Sequence, residues 1–182
     1  MRTTLILMPL LALAGCKSSN ETTLGTTRDM PPSQVRTVQL LGPSGEPRGT
    51  ASLEARPLGL RIAAQVEGLA PGTYAIHYHR FGVCTPPTFD SAGPHFNPTT
   101  RQHGRDNPLG PHLGDLPNIV VGADGRGAVT HTVDGLMLTG GATPLLDADG
   151  AAVVLHAGAD DNRTDPSGNS GARIACGALA AG

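Results

Sequence analysis

The chain is predicted to adopt an all-β fold with long loops, on the basis of its turn-forming residues, its aliphatic character and its short apolar segments. The 182 residues include 25 glycines and 16 prolines, which favour short strands joined by loops and argue against a helical bundle. With three Phe, two Tyr and no Trp, the core must be built mainly from aliphatic side chains. The formal net charge of −2 argues against a basic surface, so no nucleic-acid partner is expected.

Roughly eight short extended segments follow one another between turn residues. Each is marked by alternation of apolar and polar side chains or by a continuous apolar run. The segments lie at 35–41, 51–55, 60–66, 73–79, 119–121, 128–133, 151–155 and 173–179. Eight such strands with turn chemistry between them predict a Greek-key β-barrel or sandwich, immunoglobulin-like in type. Two long loops, at 80–116 and 158–171, separate the later strands.

The N-terminal segment predicts export from the cytoplasm. Arg2 precedes an apolar run at 5–13, which is too short to span a bilayer, so residues 1–15 are predicted to be a signal peptide. The run ends in Leu13-Ala14-Gly15-Cys16, which resembles the lipobox of bacterial lipoproteins. That resemblance implies acylation of Cys16 and a membrane partner; the alternative is a secreted protein with a free Cys16.

The remaining chain divides into a tether and a domain. Residues 16–34 are polar and lack apolar periodicity, which is typical of a flexible tether that follows the lipidated cysteine. Residues 35–182 then form the domain. The expected location is the bacterial cell envelope, with the protein lipid-anchored to a membrane and facing the periplasm.

Six of the seven histidines fall in places that suggest metal binding. His77 and His79 alternate on one predicted strand and therefore share a face, although an exposed polar face explains an isolated His-x-His equally well. The long loop at 80–116 then supplies three imidazoles and one carboxylate, a donor set suited to tetrahedral zinc, and the nearby histidines suit copper. These loop residues are His95, His103, His112 and Asp115. His156 ends the strand at 151–155 and can reach the same face.

These segments together resemble the copper/zinc superoxide dismutase family. The motifs that carry the resemblance are Ile76-His77-Tyr78-His79, Gly93-Pro94-His95-Phe96-Asn97-Pro98, His103-Gly104, His112-Leu113-Gly114-Asp115, Val154-Leu155-His156, Ala159-Asp160-Asp161 and Gly168-Asn169-Ser170-Gly171-Ala172-Arg173. They run in family order from about residue 35 to the C-terminus. The longer stretch between Cys84 and His95 is similar to that of bacterial members.

The resemblance implies a role for each matching residue. One copper ion per chain would be held by His77, His79, His95 and His156, and one zinc ion by His95, His103, His112 and Asp115. His95 would bridge the two metals. Asp160 would accept hydrogen bonds from His77 and His103, and Arg173 would guide the anionic substrate beside the copper. Cys84 and Cys176 would form an intrasubunit disulfide.

The implied activity is disproportionation of superoxide to O₂ and H₂O₂, in which copper would cycle between Cu(II) and Cu(I). The resemblance implies Arg173 and zinc-supported His95 as the catalytic residues. A non-catalytic copper- and zinc-binding envelope lipoprotein on the same fold is the alternative, and a β-sandwich with incidental histidines is a remoter one. Bacterial members of the family form both monomers and dimers, so the resemblance does not decide whether this chain forms a homodimer.

A locally positive approach to the copper is also expected, because superoxide is an anion and the chain carries net negative charge. Four arginines are candidates for its wall, and ordinary surface charges are the competing explanation for each of them: Arg80, Arg101, Arg105 and Arg163. His131 fits no ligand position and is predicted to be a surface residue.

Overall fold

Nine β-strands and one short 3-10 helix make up the regular structure of residues 34–181, the part of the chain that the computed structural model describes. The strands are β1 Val35–Leu41, β2 Pro47–Arg56, β3 Gly59–Val66, β4 Gly72–Tyr74, β5 Ile76–His79, β6 Ile119–Val121, β7 Gly127–Asp134, β8 Ala151–His156 and β9 Arg173–Leu179. The predicted signal peptide at 1–15, Cys16 and all but the last residue of the predicted tether lie outside the described residues. No helix within 34–181 has the length and apolarity needed to cross a membrane.

All neighbouring strands pair antiparallel in one sheet, so the all-β prediction is confirmed. The strand order is β4-β6-β7-β3-β2-β1-β9-β8-β5. Strands β4 and β5 stand at opposite ends of this order, yet only Ala75 separates them along the chain. The ends of the sheet therefore meet at Ala75, which gives the sheet its barrel-like closure.

The segment at 73–79 forms two strands where one was predicted, which raises the count from eight to nine. Tyr74 pairs with Ile119 of β6, whereas Ile76 pairs with Leu155 of β8. At the break, the Ala75 amide donates to the Gly158 carbonyl, 2.8 Å away. Apolar alternation cannot reveal this change, because the chain stays extended while its pairing partner changes.

The interior of the barrel is aliphatic, as the composition predicts. Alternate residues of β3 are fully or almost fully buried, among them Leu60, Ile62 and Ala64. Tyr78 and Phe96 are the aromatic residues fully or nearly buried in this main cluster. A second, smaller cluster holds Phe89 and Ala92 of the long loop against Val154 and Cys176 of the sheet.

The long loop at 80–116, called the metal loop here, returns twice to strand β5. Isolated bridges connect His79 with His95 and His77 with Asp115. The Tyr78 amide also donates to the Gly114 carbonyl at 2.9 Å. The middle of the metal loop and its C-terminal end are thus fixed beside the two histidines of β5.

Candidate metal centre

Strand β5 places His77 and His79 on one face, and both side chains are buried, with exposures of 0% and 1%. The alternative explanation of the His-x-His pair, an exposed polar face, is therefore wrong. Buried imidazoles need partners, because burying a polar group without one costs free energy. The partners come from the metal loop, from β8 and from the loop at 158–171, called the channel loop here.

Four buried histidines form a first cluster whose ligating atoms lie within 4.8 Å of one another: His77, His79, His95 and His156. On each ring, one nitrogen contacts an oxygen outside the cluster. The oxygens belong to Asp160 for His77, Gly93 for His79, Asp115 for His95 and Gly171 for His156. The nitrogens left for the cluster are His77 Nδ1, His79 Nε2, His95 Nε2 and His156 Nε2. The Nε2 atoms of His79 and His156 are 3.3 Å apart.

Two of these nitrogens show that the cluster suits a copper ion. His77 Nδ1 and His95 Nε2 are buried and have no hydrogen-bond partner among the described residues. Such orphaned polar atoms are rare and call for an explanation. Four converging imidazole nitrogens form a donor set that copper prefers, and a bound copper ion would satisfy both orphans at once.

A second cluster consists of three histidines around one carboxylate. Asp115 Oδ1 lies 3.0 Å from His95 Nδ1, 3.0 Å from His103 Nδ1 and 3.1 Å from His112 Nδ1. In a tetrahedral site with zinc–nitrogen bonds of about 2.0–2.1 Å, neighbouring ligand atoms lie about 3.3 Å apart. The four side chains therefore need to move little to hold zinc.

The backbone fixes the Asp115 carboxylate in this position. Its Oδ2 accepts hydrogen bonds from the amides of Gly104 and His112, at 2.9 and 3.0 Å. The Oδ1 atom is thereby directed at the three imidazoles. His95 belongs to both clusters, so its two ring nitrogens face different sites.

Asp160 of the channel loop connects the two clusters from outside. One carboxylate oxygen lies 2.9 Å from His77 Nε2 and the other lies 3.0 Å from His103 Nε2. Gly168 makes room for this carboxylate: its φ is +64°, and a Cβ there would collide with Asp160 Oδ1. Partners of this kind orient metal-binding histidines and set their tautomers.

Sequence reasoning missed two further supports of the site. The Asn118 side chain exchanges hydrogen bonds of 2.9 Å with the backbone of Asp160, donating to its carbonyl and accepting from its amide. The Asp165 side chain accepts a hydrogen bond from the His103 amide at 2.6 Å. Neither contact has a sequence signal, because each joins segments that are distant along the chain.

Arg173 lies at the start of β9, with its guanidinium held by two carbonyls of the metal loop. It donates to Phe89 O at 2.6 Å and to Gly93 O at 2.7 Å. The same Gly93 carbonyl lies 2.8 Å from His79 Nδ1, so one oxygen positions both the arginine and a histidine of the first cluster. A disulfide joins Cys84 to Cys176 and fixes this part of the metal loop to β9.

Burial and nearby carboxylates shift the pKa values of four histidines of the site. Burial lowers the pKa of His95 to about 4 and that of His156 to about 3, and it lowers the pKa of His79 as well. Burial would also lower the pKa of His103, but the carboxylates of Asp115 and Asp160 outweigh it and raise that pKa to about 9. In the metal-free protein at neutral pH, His79, His95 and His156 are therefore uncharged, and His103 carries a proton that zinc would displace.

We expect the metal-free protein to be most stable near pH 6.5. Between about pH 6.5 and 4, His95 and His156 are protonated in the unfolded chain, whereas both stay unprotonated in the folded protein. The free energy of unfolding therefore decreases as pH falls. Between about pH 6.5 and 9, folded His103 keeps a proton that the unfolded chain has lost, so stability decreases as pH rises. Urea unfolding midpoints measured in the presence of a chelator test both limbs. Saturating zinc is the control, because it should abolish the alkaline limb, and a metal-free midpoint constant from pH 6.5 to 9 would contradict the prediction.

The four arginines that are candidates for the wall of the approach are all exposed. Arg80 and Arg101 line a cleft of about 620 Å³ that reaches the edges of His95 and His112. Arg105 and Arg163 are exposed on the metal loop and the channel loop. His131 lies half-buried on β7 and belongs to neither cluster.

An antiparallel, barrel-like sheet that carries an all-imidazole cluster and a three-histidine, one-carboxylate cluster, with one histidine in common, has the donor sets of a class of metal-binding proteins. The sequence profile described as copper/zinc superoxide dismutase matches residues 47–179 of the chain. The chain belongs to the copper/zinc superoxide dismutase family.

Relatives with known names include both enzymes and enzyme-like proteins. The chain is 44% identical to superoxide dismutase-like protein YojM of Bacillus subtilis over 78% of this chain and 74% of the relative. It is 41% identical to superoxide dismutase [Cu-Zn] of Caulobacter vibrioides over 74% of this chain and 79% of the relative. Among solved structures, a double mutant of a superoxide dismutase-like protein from Bacillus subtilis matches with a TM-score of 0.76 and 44% identity, over 79% of this chain and 96% of that one.

Proposed function

We propose that the protein is a superoxide dismutase that binds copper in the first cluster and zinc in the second. The observation that carries the proposal is the placement of His95: its Nδ1 lies 3.0 Å from Asp115 in the second cluster, while its Nε2 is buried and unpartnered in the first. A histidine in this position can connect two metals. Accordingly, His77, His79, His95 and His156 would hold copper, and His95, His103, His112 and Asp115 would hold zinc.

The reaction converts two superoxide anions and two protons into O₂ and H₂O₂. When bound, copper supplies one-electron oxidation and reduction of the substrate, and zinc supplies a fixed charge that holds His95 in place. Arg173 attracts the anionic substrate and orients it by hydrogen bonding. Its guanidinium is preorganised by the Phe89 and Gly93 carbonyls, so little reorganisation is needed when the substrate binds.

His95 also serves the proton requirement of the reaction. Its Nε2 is the atom that can take up a proton and pass it to the reduced substrate, while its Nδ1 stays in the zinc cluster. The 5% exposure of its side chain limits competition from bulk water.

A metal and activity assay on the purified protein tests the proposal. We expect about one copper and one zinc ion per chain after loading, from the two donor sets described, together with removal of superoxide that cyanide inhibits. Protein loaded with zinc alone is the matched control and should be inactive. Copper-loaded protein without activity would overturn the proposal.

The alternative is a copper- and zinc-binding protein without turnover. It draws on the 44% identity to a relative that is named superoxide dismutase-like. The same assay distinguishes the two functions, because this alternative requires stoichiometric metal with no superoxide removal. The complete set of seven side chains in the two clusters and the held Arg173 favour the enzyme.

We further propose that Cys16 carries a lipid that anchors the protein to a bacterial envelope membrane, facing the periplasm. The support is the apolar run ending in Leu13-Ala14-Gly15-Cys16. Expression of the full chain with a labelled fatty acid should label the protein, and the C16A variant should stay unlabelled. Equal labelling of both, or of neither, would contradict the anchor.

A further inference from the structure

In each histidine of the first cluster, one ring nitrogen faces away from the cluster and is called its outward nitrogen. The outward nitrogen of His156 has different surroundings from those of the other three. The outward nitrogens of the other three histidines each face one oxygen. These oxygens belong to Asp160 for His77, Gly93 for His79 and Asp115 for His95. His156 Nδ1 instead faces two oxygens at 3.2 Å, the Gly171 carbonyl and the Ser170 hydroxyl. Ser170 is completely buried, with an exposure of 0%.

The two oxygens differ in what they can do for the ring. The Gly171 carbonyl can only accept a hydrogen bond, so it favours a hydrogen on His156 Nδ1. A hydroxyl can accept or donate. If Ser170 donated to Nδ1, the ring hydrogen would have to reside on Nε2, where it would point into the cluster and block metal binding. In the metal-binding tautomer, therefore, Ser170 accepts from the same Nδ1–H as Gly171.

We propose that Ser170 is a positioning residue that acts through His156 to favour Cu(II) over Cu(I) in the first cluster. The inference rests on the proposed function, since it requires copper in that cluster. Two acceptors on one N–H draw the hydrogen away from the ring more than one acceptor does. This raises the basicity of the ring, and hence the electron density at Nε2, which stabilises the more highly charged ion.

The S170A variant tests the proposal, because it removes one oxygen and keeps the backbone and the Gly171 carbonyl. We expect its affinity for Cu(II) to fall about tenfold, the low end for loss of an outer hydrogen-bond partner, since one acceptor remains. The affinity for Cu(I) should change less, so the reduction potential should rise. Both affinities are measured by chelator competition on the zinc-loaded full chain, and the potential by redox titration.

Two further variants separate this role from simple packing. S167A changes a half-buried serine of the same channel loop and should behave as wild type. S170T retains the hydroxyl and should retain the Cu(II) preference even if the added methyl group lowers stability. Zinc affinity reports on the second cluster and should be unchanged in all three variants.

The outcomes distinguish this inference from the proposed function. If wild-type protein binds copper but S170A shows the same Cu(II)-to-Cu(I) preference and potential, Ser170 has no such role and the copper site stands. If S167A shifts the potential as much as S170A, the effect belongs to the loop and the proposal fails. If wild-type protein does not bind copper through the four histidines, the proposed function and the inference fail together.

Discussion

Replacement of His156 by alanine should lower superoxide removal by more than about 100-fold, since the loss of a direct ligand exceeds the 10–100-fold effect typical of an outer partner. His156 ends β8, is 3% exposed, and brings its Nε2 to 3.3 Å from His79 Nε2. Without it the first cluster keeps three imidazoles, and copper binds more weakly. The rate of superoxide removal and the copper content of the purified variant measure the effect.

The second cluster provides the internal control for this variant. His156 contacts neither Asp115 nor His103 among the hydrogen bonds of the described residues, so H156A should bind zinc as wild type does. H131A is the matched histidine control, since His131 lies on β7 outside both clusters, and it should keep full activity. An H156A protein with wild-type activity and full copper content would refute the copper site.

Much of the barrel could be predicted from local patterns in the sequence. The bounds of β9 agree at both ends with the predicted segment at 173–179, and those of β3 and β7 agree to within one residue. In β3 and β7, burial alternates along the strand because one face packs on the aliphatic core. The division of 73–79 could not be predicted, since the exchange of pairing partners at Ala75 depends on the Gly158 carbonyl, more than 80 residues away.

The candidate site was predictable where residue type alone limits the chemistry. Imidazoles and a carboxylate in family order identify the two clusters, because few residue types bind these metals. The contacts made by backbone atoms were not predictable. The Gly93 carbonyl serves both Arg173 and His79, and any residue type has a carbonyl. The Ser170 contact could not be predicted for a similar reason, since it depends on how the channel loop folds over β8.

The disulfide connects the stability of the fold to the geometry of the site. Cys84 precedes the metal-loop residues Phe89 and Gly93, which hold the Arg173 guanidinium. Cys176 lies three residues after Arg173 on the same strand. The bond therefore joins the two segments whose relative position keeps the Arg173 guanidinium in contact with the Phe89 and Gly93 carbonyls.

Replacement of both Cys84 and Cys176 by serine should lower the free energy of unfolding by about 4–5 kcal/mol. The two cysteines are 92 residues apart in sequence, and opening a loop of this size returns that much chain entropy to the unfolded state in the entropic description of cross-links. A loss of this size is a large fraction of the stability of an ordinary domain. Urea unfolding of the metal-free double variant against wild type measures it.

The double variant should also lose activity at a temperature where it is still folded. Phe89 and Gly93 would no longer be tied to β9, so the Arg173 guanidinium would lose its fixed position, and kcat/KM should fall while the zinc content stays unchanged. Reduction of the wild-type disulfide is the matched control and should reproduce both losses, because it breaks the same bond without changing a side chain. If the double variant unfolds at the wild-type urea concentration, the cross-link contributes nothing to stability; if its kcat/KM is unchanged, the metal loop holds Arg173 in position without the bond.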